Sequence, residues 1–103
     1  MLSRTYHLKF PDLDSAQVAA PYLTDTLGEA IPECDLAGLT VLIGKEGDIS
    51  VNIFFPGPDE LKTFEKTYGD LVESLKKTFL FKSSAFDGVC ILNFDASAEE
   101  SAA

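Results

Sequence analysis

Bases, histidine and cysteine are scarce in this chain, and each scarcity removes a class of function. Eight Lys and Arg stand against 17 Asp and Glu in 103 residues, a net charge of −9. That balance disfavours a phosphate-binding surface, direct contact with nucleic acid and attachment to anionic lipid. Between Lys9 and Lys45 there is no base at all, while Asp12, Asp14, Asp25, Glu29, Glu33 and Asp35 fall in the interval. Such a stretch reads first as a solvated acidic face and second as a docking surface for a basic partner or a mimic of nucleic-acid charge. The two cysteines, Cys34 and Cys90, lack Cys-x-x-Cys spacing, so free thiols in a reducing compartment are expected rather than a disulfide framework. No apolar run approaches the roughly 20 residues of a membrane helix, and Met1 to His7 lacks the apolar stretch of a signal peptide. A cytoplasmic protein with no membrane partner is expected.

Motifs for metals and cofactors are missing as well. Gly44 and Gly47 belong to a strand-turn-strand pattern rather than to a phosphate loop followed by a helix. Asp12-x-Asp14 opens like a calcium loop, but Ala16 and Leu23 stand at later ligand positions. Asp25 and Glu29, four apart on one helix face, read as repulsion tolerated at a surface. No cofactor and no metal are expected.

What is present is periodicity. Leu39, Val41 and Ile43 alternate with Thr40 and Leu42, Gly44 to Asp48 supplies a turn, and Ile49, Val51, Ile53 and Phe55 alternate with Ser50, Asn52 and Phe54, which predicts a β-hairpin. Thr5 to Phe10 predicts a first strand that Pro11 ends. Asp14 with Gln17 has the form of a capping box, so a first helix should start there, kink near Gln17 because of Pro21, end near Ile31 and turn Val18, Tyr22, Leu23, Leu27 and Ile31 inward. A short turn before a helix that begins at Pro21 is the alternative. A second helix should begin at Pro58 and run to Lys77, with Leu61, Phe64, Tyr68, Leu71 and Leu75 as its apolar stripe. Thr78 to Lys82 reads as a short extra strand, Ser83 to Gly88 as a loop and Val89 to Asp95 as the last strand. The order βαββαβ predicts a ferredoxin-like α+β sandwich, an antiparallel sheet with two helices on one face. Residues 1–95 form a single domain in this reading, and 96–103 are a disordered acidic tail.

Alternation assigns the two sheet faces. Tyr6, Leu8, Phe10, the odd residues of the hairpin, Cys90, Leu92 and Phe94 should lie under the helices; His7, Lys9, Thr40, Leu42, Ser50, Asn52, Phe54, Val89, Ile91 and Asn93 should lie on the helix-free face. Cys90 then reads as a buried thiol and Cys34, near Pro32, as a moderately exposed one. A face carrying apolar groups beside hydrogen-bonding ones suits a dimer seam or a ligand cleft. His7, the only histidine, with Thr40, Asn52 and Phe54, is the candidate ligand-binding set. Histidine changes charge near neutral pH and can donate to an anionic or carbonyl oxygen, although one isolated histidine on a sheet is more often an ordinary surface residue.

The run Ile53-Phe54-Phe55 into Pro58-Asp59-Glu60-Leu61-Lys62-Thr63-Phe64 and Tyr68, in a βαββαβ chain of this length, resembles the dimeric α+β barrels, the superfamily of the antibiotic-biosynthesis monooxygenases. The resemblance implies that helix-free faces of two subunits pair into a barrel and that a substrate would bind between sheet and helices. The third strand here reads Val51-Asn52-Ile53-Phe54-Phe55, and no histidine follows His7. The leading expectation is a homodimeric protein that binds a small molecule or serves as an accessory domain. A cofactor-independent, monooxygenase-like enzyme is the second, and an acidic protein-interaction or nucleic-acid-mimic module the third.

Overall fold

The computed structural model describes residues 1–94 and residue 96. The elements are β1 (Leu2–Lys9), α1 (Leu13–Glu33), β2 (Gly38–Ile43), β3 (Asp48–Phe55), α2 (Pro58–Tyr68), α3 (Leu71–Lys76) and β4 (Lys82–Val89). The four strands form one sheet in the order β2-β3-β1-β4 with every neighbouring pair antiparallel. This is the ferredoxin-like α+β arrangement. Its core lies between sheet and helices, where Leu8, Phe10, Ile49, Val51, Ile53 and Phe55 meet Leu23, Leu27 and Phe64. No helix among the described residues is long and apolar enough to cross a membrane.

The hairpin forms where its alternation places it, and its turn is clamped to the rest of the chain. Gly47 has φ +96°, and a Cβ there would stand 2.7 Å from the carbonyl oxygen of Asp12. Its own carbonyl accepts from the amide of Phe10 at 3.0 Å. Only glycine meets both demands, a left-handed backbone and a close approach.

Helix α1 differs from the expected one in start, end and rotation. Asp12, not Asp14, is the N-cap, its carboxylate accepting from the amide of Ser15 at 2.8 Å. The helix continues through Pro21 and Pro32, because both sit on its solvent side, where water serves the carbonyls that a proline leaves unpaired. Cys34 closes it, and Asp35, at φ 53°, takes the left-handed position that follows. The buried row is Ala16, Ala19, Leu23, Leu27 and Ala30, while Val18, Tyr22 and Ile31 are exposed. Alanines at three of these five positions are fully buried, and small side chains let a helix pack closely on a sheet where a bulkier stripe would hold it off.

The second helix is two. It breaks at Gly69 and Asp70, where a side chain on residue 69 would run into the carbonyl of Glu65, and α3 resumes with Leu71 and Leu75 buried. Thr78 to Lys82 is turn and coil rather than an extra strand, until β4 begins at Lys82.

The last strand is the largest correction. It is the polar stretch Lys82–Val89, expected to be a loop, and not Val89 to Asp95. β4 pairs with β1 from Lys9↔Lys82 to Leu2↔Val89. Beyond Val89 the neighbour offers only Met1, whose carbonyl accepts from the amide of Cys90 at 2.9 Å. Cys90, Leu92 and Phe94 therefore do not lie under the helices; Leu92 and Phe94 are exposed, and Ile91 is 97% exposed. Val89 shares a row with Leu2 on the helix side, not the helix-free side. The thiols exchange roles accordingly, with Cys34 buried and Cys90 only partly covered. Asp95 and 97–103, which carry the end of the expected strand and most of the expected acidic tail, lie outside the described residues.

Candidate functional site

Strand register assembles the helix-free face row by row. One row reads Gly38, Phe54, Ser3, Gly88; the next Thr40, Asn52, Thr5, Phe86; the third Leu42, Ser50, His7, Ser84; and the last Asp48, Lys9, Lys82. All four candidate residues share this face. Thr40 and Asn52 are directly opposite one another, His7 lies one row along, and Phe54 stands one row the other way with its ring over Gly38.

A polar strip crosses the centre of the face. The hydroxyl of Thr5 donates to Asn52 Oδ1 at 2.9 Å, and Asn52 Nδ2 donates to Ser50 Oγ at 3.4 Å. His7 Nε2 lies 3.0 Å from Asp48 Oδ1, and Lys9 Nζ donates to the other oxygen at 3.3 Å. Lys9 first, with His7 assisting, holds the Asp48 carboxyl below its ordinary range. Apolar groups flank the strip, Leu42 at the β2 edge and Phe86 at the β4 edge, both exposed. His7 lines a shallow hollow of about 220 Å³ with Lys9, Lys82, Ser83 and Ser84. Thr40, Asn52 and Phe54 line neither this hollow nor the four other main ones among the described residues.

A second constellation lies on the other side of the sheet, at its β4 edge. Arg4 donates through Nε and Nη2 to both oxygens of Asp87, at 2.6 and 2.9 Å, through Nη1 to Glu65 of α2, and to the hydroxyl of Tyr6 at 3.3 Å. Asp87 above all keeps the guanidinium protonated, and Arg4 in turn holds the Asp87 carboxyl low. Burial pushes the Tyr6 phenol up. These groups surround a cleft of about 350 Å³ that Ala85 and Phe86 complete. Sequence reasoning missed this set because it placed residues 83–88, and with them Asp87, in a loop. The available signal was parity: Arg4 shares an inward-facing phase with Tyr6 and Leu8, and a cation there needs an anionic partner.

No protein-family model and no curated relative matches the sequence. In three dimensions the chain is similar to a dimeric ferredoxin-like protein from an uncultured marine organism, at TM-score 0.68 and 13% identity over 91% of this chain and 97% of that one. It is equally similar to a putative antibiotic biosynthesis monooxygenase from Deinococcus radiodurans, at TM-score 0.68 and 14% identity over 92% and 99%. The fold is the ferredoxin-like α+β fold. A monooxygenase of Streptomyces coelicolor, solved in complex with nanaomycin D, shares this fold at TM-score 0.66 and 10% identity over 91% and 92%. The match spans nearly the whole of each chain, so βαββαβ order, sheet and helix placement agree together. At such identities the likeness carries the fold and no side-chain function.

Proposed function

We propose that the protein works as a homodimer whose helix-free faces close on each other, and that it binds a small molecule there through His7, Thr40, Asn52 and Phe54. The observation that carries the reading is the composition of that face: a hydrogen-bonded polar strip between exposed Leu42 and Phe86. Ile91, Leu92 and Phe94 add apolar groups in water beyond β4. Apolar surface of this extent on a monomer usually marks an interaction, and the similar protein from an uncultured marine organism is described as dimeric. Facing strips would give a ligand neutral donors and acceptors from Thr40 and Asn52, an apolar wall from Phe54 and a donor from His7. The two free cysteines fit a reducing, cytoplasmic setting.

Light scattering at micromolar concentration is expected to report a dimer, and Phe54→Lys a monomer, because a charge would enter the seam from both subunits. A parent that stays monomeric at every concentration rejects the seam. For the ligand, NMR titration with small carboxylates and ketones should shift the amides of residues 7, 40, 52 and 54, and His7→Ala should weaken the binding. Identical affinity in His7→Ala moves the site elsewhere.

A second reading, a cofactor-independent monooxygenase-like enzyme, is favoured by one observation, the Arg4–Tyr6 cleft between β4 and α2. Titration with nanaomycin D, the ligand of the Streptomyces neighbour, tests it. Saturable shifts at Arg4, Tyr6 and Asp87 together with oxygen consumption would support it, and their absence would remove it.

A further inference from the structure

The helices that cover the sheet leave a gap between themselves. α1 rests on β2 and β3 and α2 rests on β3, and α1 and α2 meet at one end, where Tyr68 donates to Glu33. A groove of about 370 Å³ occupies the gap, and no strand residue lines it. Its size falls in the usual range of small-molecule sites, roughly 300–1,000 Å³.

The lining is chemically one-sided. Leu71, Leu75 and Phe79 make its apolar floor, and Tyr22 of α1 meets Phe79 edge-on with ring centroids 5.5 Å apart. Around this floor stand hydroxyl groups and a single acid, Asp70, with no Lys, Arg or His in the lining. Two hydroxyls are engaged: Tyr68 donates to Glu33 Oε2 at 2.5 Å, and Thr26 donates to the carbonyl of Tyr22 at 3.0 Å. Those of Thr67, Ser74 and Thr78 make no hydrogen bond to protein groups among the described residues. Asp70 holds the N-cap position of α3, where a carboxylate ordinarily accepts a backbone amide, yet its side chain caps nothing. Both of its oxygens are thus available at the rim of the groove.

We propose that this groove is a binding site, separate from the helix-free face, for a neutral polyhydroxylated ligand of the sugar class. A sugar ring presents hydroxyls around its edge and C–H groups on its faces. The hydroxyls would donate to Asp70 and exchange hydrogen bonds with Ser74 and Thr78, while one C–H face lies against Tyr22 and Phe79. An anionic ligand would meet no cation there, and it would face Asp70, Glu33 and a chain of net charge −9. A wholly apolar ligand would strip water from the carboxylate and the hydroxyls without replacing their hydrogen bonds.

The test is a titration of the isotope-labelled full chain with glucose, galactose, maltose and lactose, followed by amide shifts. Saturable shifts confined to residues 22–26 and 67–79 are expected for at least one of the four. Asp70→Asn should weaken that binding roughly tenfold, the usual effect of losing a hydrogen bond to a charged group. Tyr22→Ala and Ser74→Ala should weaken it less, and His7→Ala should leave it unchanged. All of these side chains except Tyr22's ring contact stand at the surface, so circular dichroism should show parental folding throughout. Glucose 6-phosphate should bind more weakly than glucose. The proposal is overturned if none of the four sugars gives saturable shifts in the groove, if Asp70→Asn binds as tightly as the parent, or if the phosphorylated sugar binds better than the neutral one.

Discussion

Exchanging the roles of two adjacent residues tests the rotation of α1, the point on which the whole helix layer depends. Ala19 is fully buried against the sheet, whereas Val18 is 60% exposed. Ala19→Leu forces three extra carbons into a close-packed seam, and overpacking of that kind costs about 1–3 kcal/mol. Val18→Ala removes two methyl groups that together could bury about 1.6 kcal/mol. With Val18 60% exposed, under half of that is lost, and the better helix propensity of alanine returns about 0.5 kcal/mol. The net effect is close to zero. Had the bulkier stripe faced the sheet, the pattern would invert: Val18→Ala would open a cavity at about 2 kcal/mol, and Ala19→Leu would be a harmless surface change. Urea unfolding separates the cases, since m-values of about 1–3 kcal/mol per molar turn such losses into midpoint shifts on the order of 1 M. A parental midpoint for Ala19→Leu together with a large drop for Val18→Ala refutes the rotation.

Three further outcomes follow from packing and charge. Leu71→Asp, which puts a carboxylate where α3 meets the core, should cost several kcal/mol, on the order of the whole stability of a domain this size; a parental melting temperature would show that Leu71 does not face inward. Gly47→Ala should lose about 1–3 kcal/mol to left-handed strain and the clash with Asp12, while Gly44→Ala, at an ordinary φ with its nearest neighbour 3.6 Å from the new carbon, should lose far less; equal losses would dissolve the clamp. Arg4 holds the Asp87 carboxyl below 3.8, so the stabilisation from that pair is present above 3.8 and fades as pH falls through the depressed folded value. Arg4→Gln should therefore lower stability at neutral pH and narrow its gap to the parent progressively below 3.8; a gap that stays constant into acid would mean the pair contributes nothing.

Much of the fold was legible because the hairpin and α2 carry strong periodic signals. Ile49 to Phe55 alternate so regularly that the face of every residue in β3 follows from the sequence, and with it the common face of Thr40, Asn52 and Phe54. The last strand was not legible, because Lys82–Val89 is polar and small while Val89 to Phe94 is apolar. Composition favours the second as a strand. Pairing decided for the first, since β1 can offer hydrogen bonds only as far as its own residues extend. The rotation of α1 was ambiguous for a different reason: two stripes of equal regularity run along it, and bulk is a poor guide where a helix must come close to a sheet. The Arg4 set depended on β4 and was lost with it. The groove between the helices is lined from both sides of the break at Gly69, a juxtaposition of α1, α2 and α3 that no local pattern records.

The strand order has a kinetic consequence. β1, first in the chain, sits in the interior of the sheet, and its two partners come from distant sequence, Leu2 pairing with Phe55 on one side and with Val89 on the other. Such long-range closure slows folding, because loop entropy is lost before any pairing compensates it. On the ribosome, α1 and the β2–β3 hairpin can form from local contacts while β1 waits, and β3 is the first neighbour it can meet. Until β4 emerges, β1 has an open edge whose backbone groups can pair with any extended segment nearby, so the interval between synthesis of Phe55 and Lys82 is the period when the nascent chain is most exposed to mispairing.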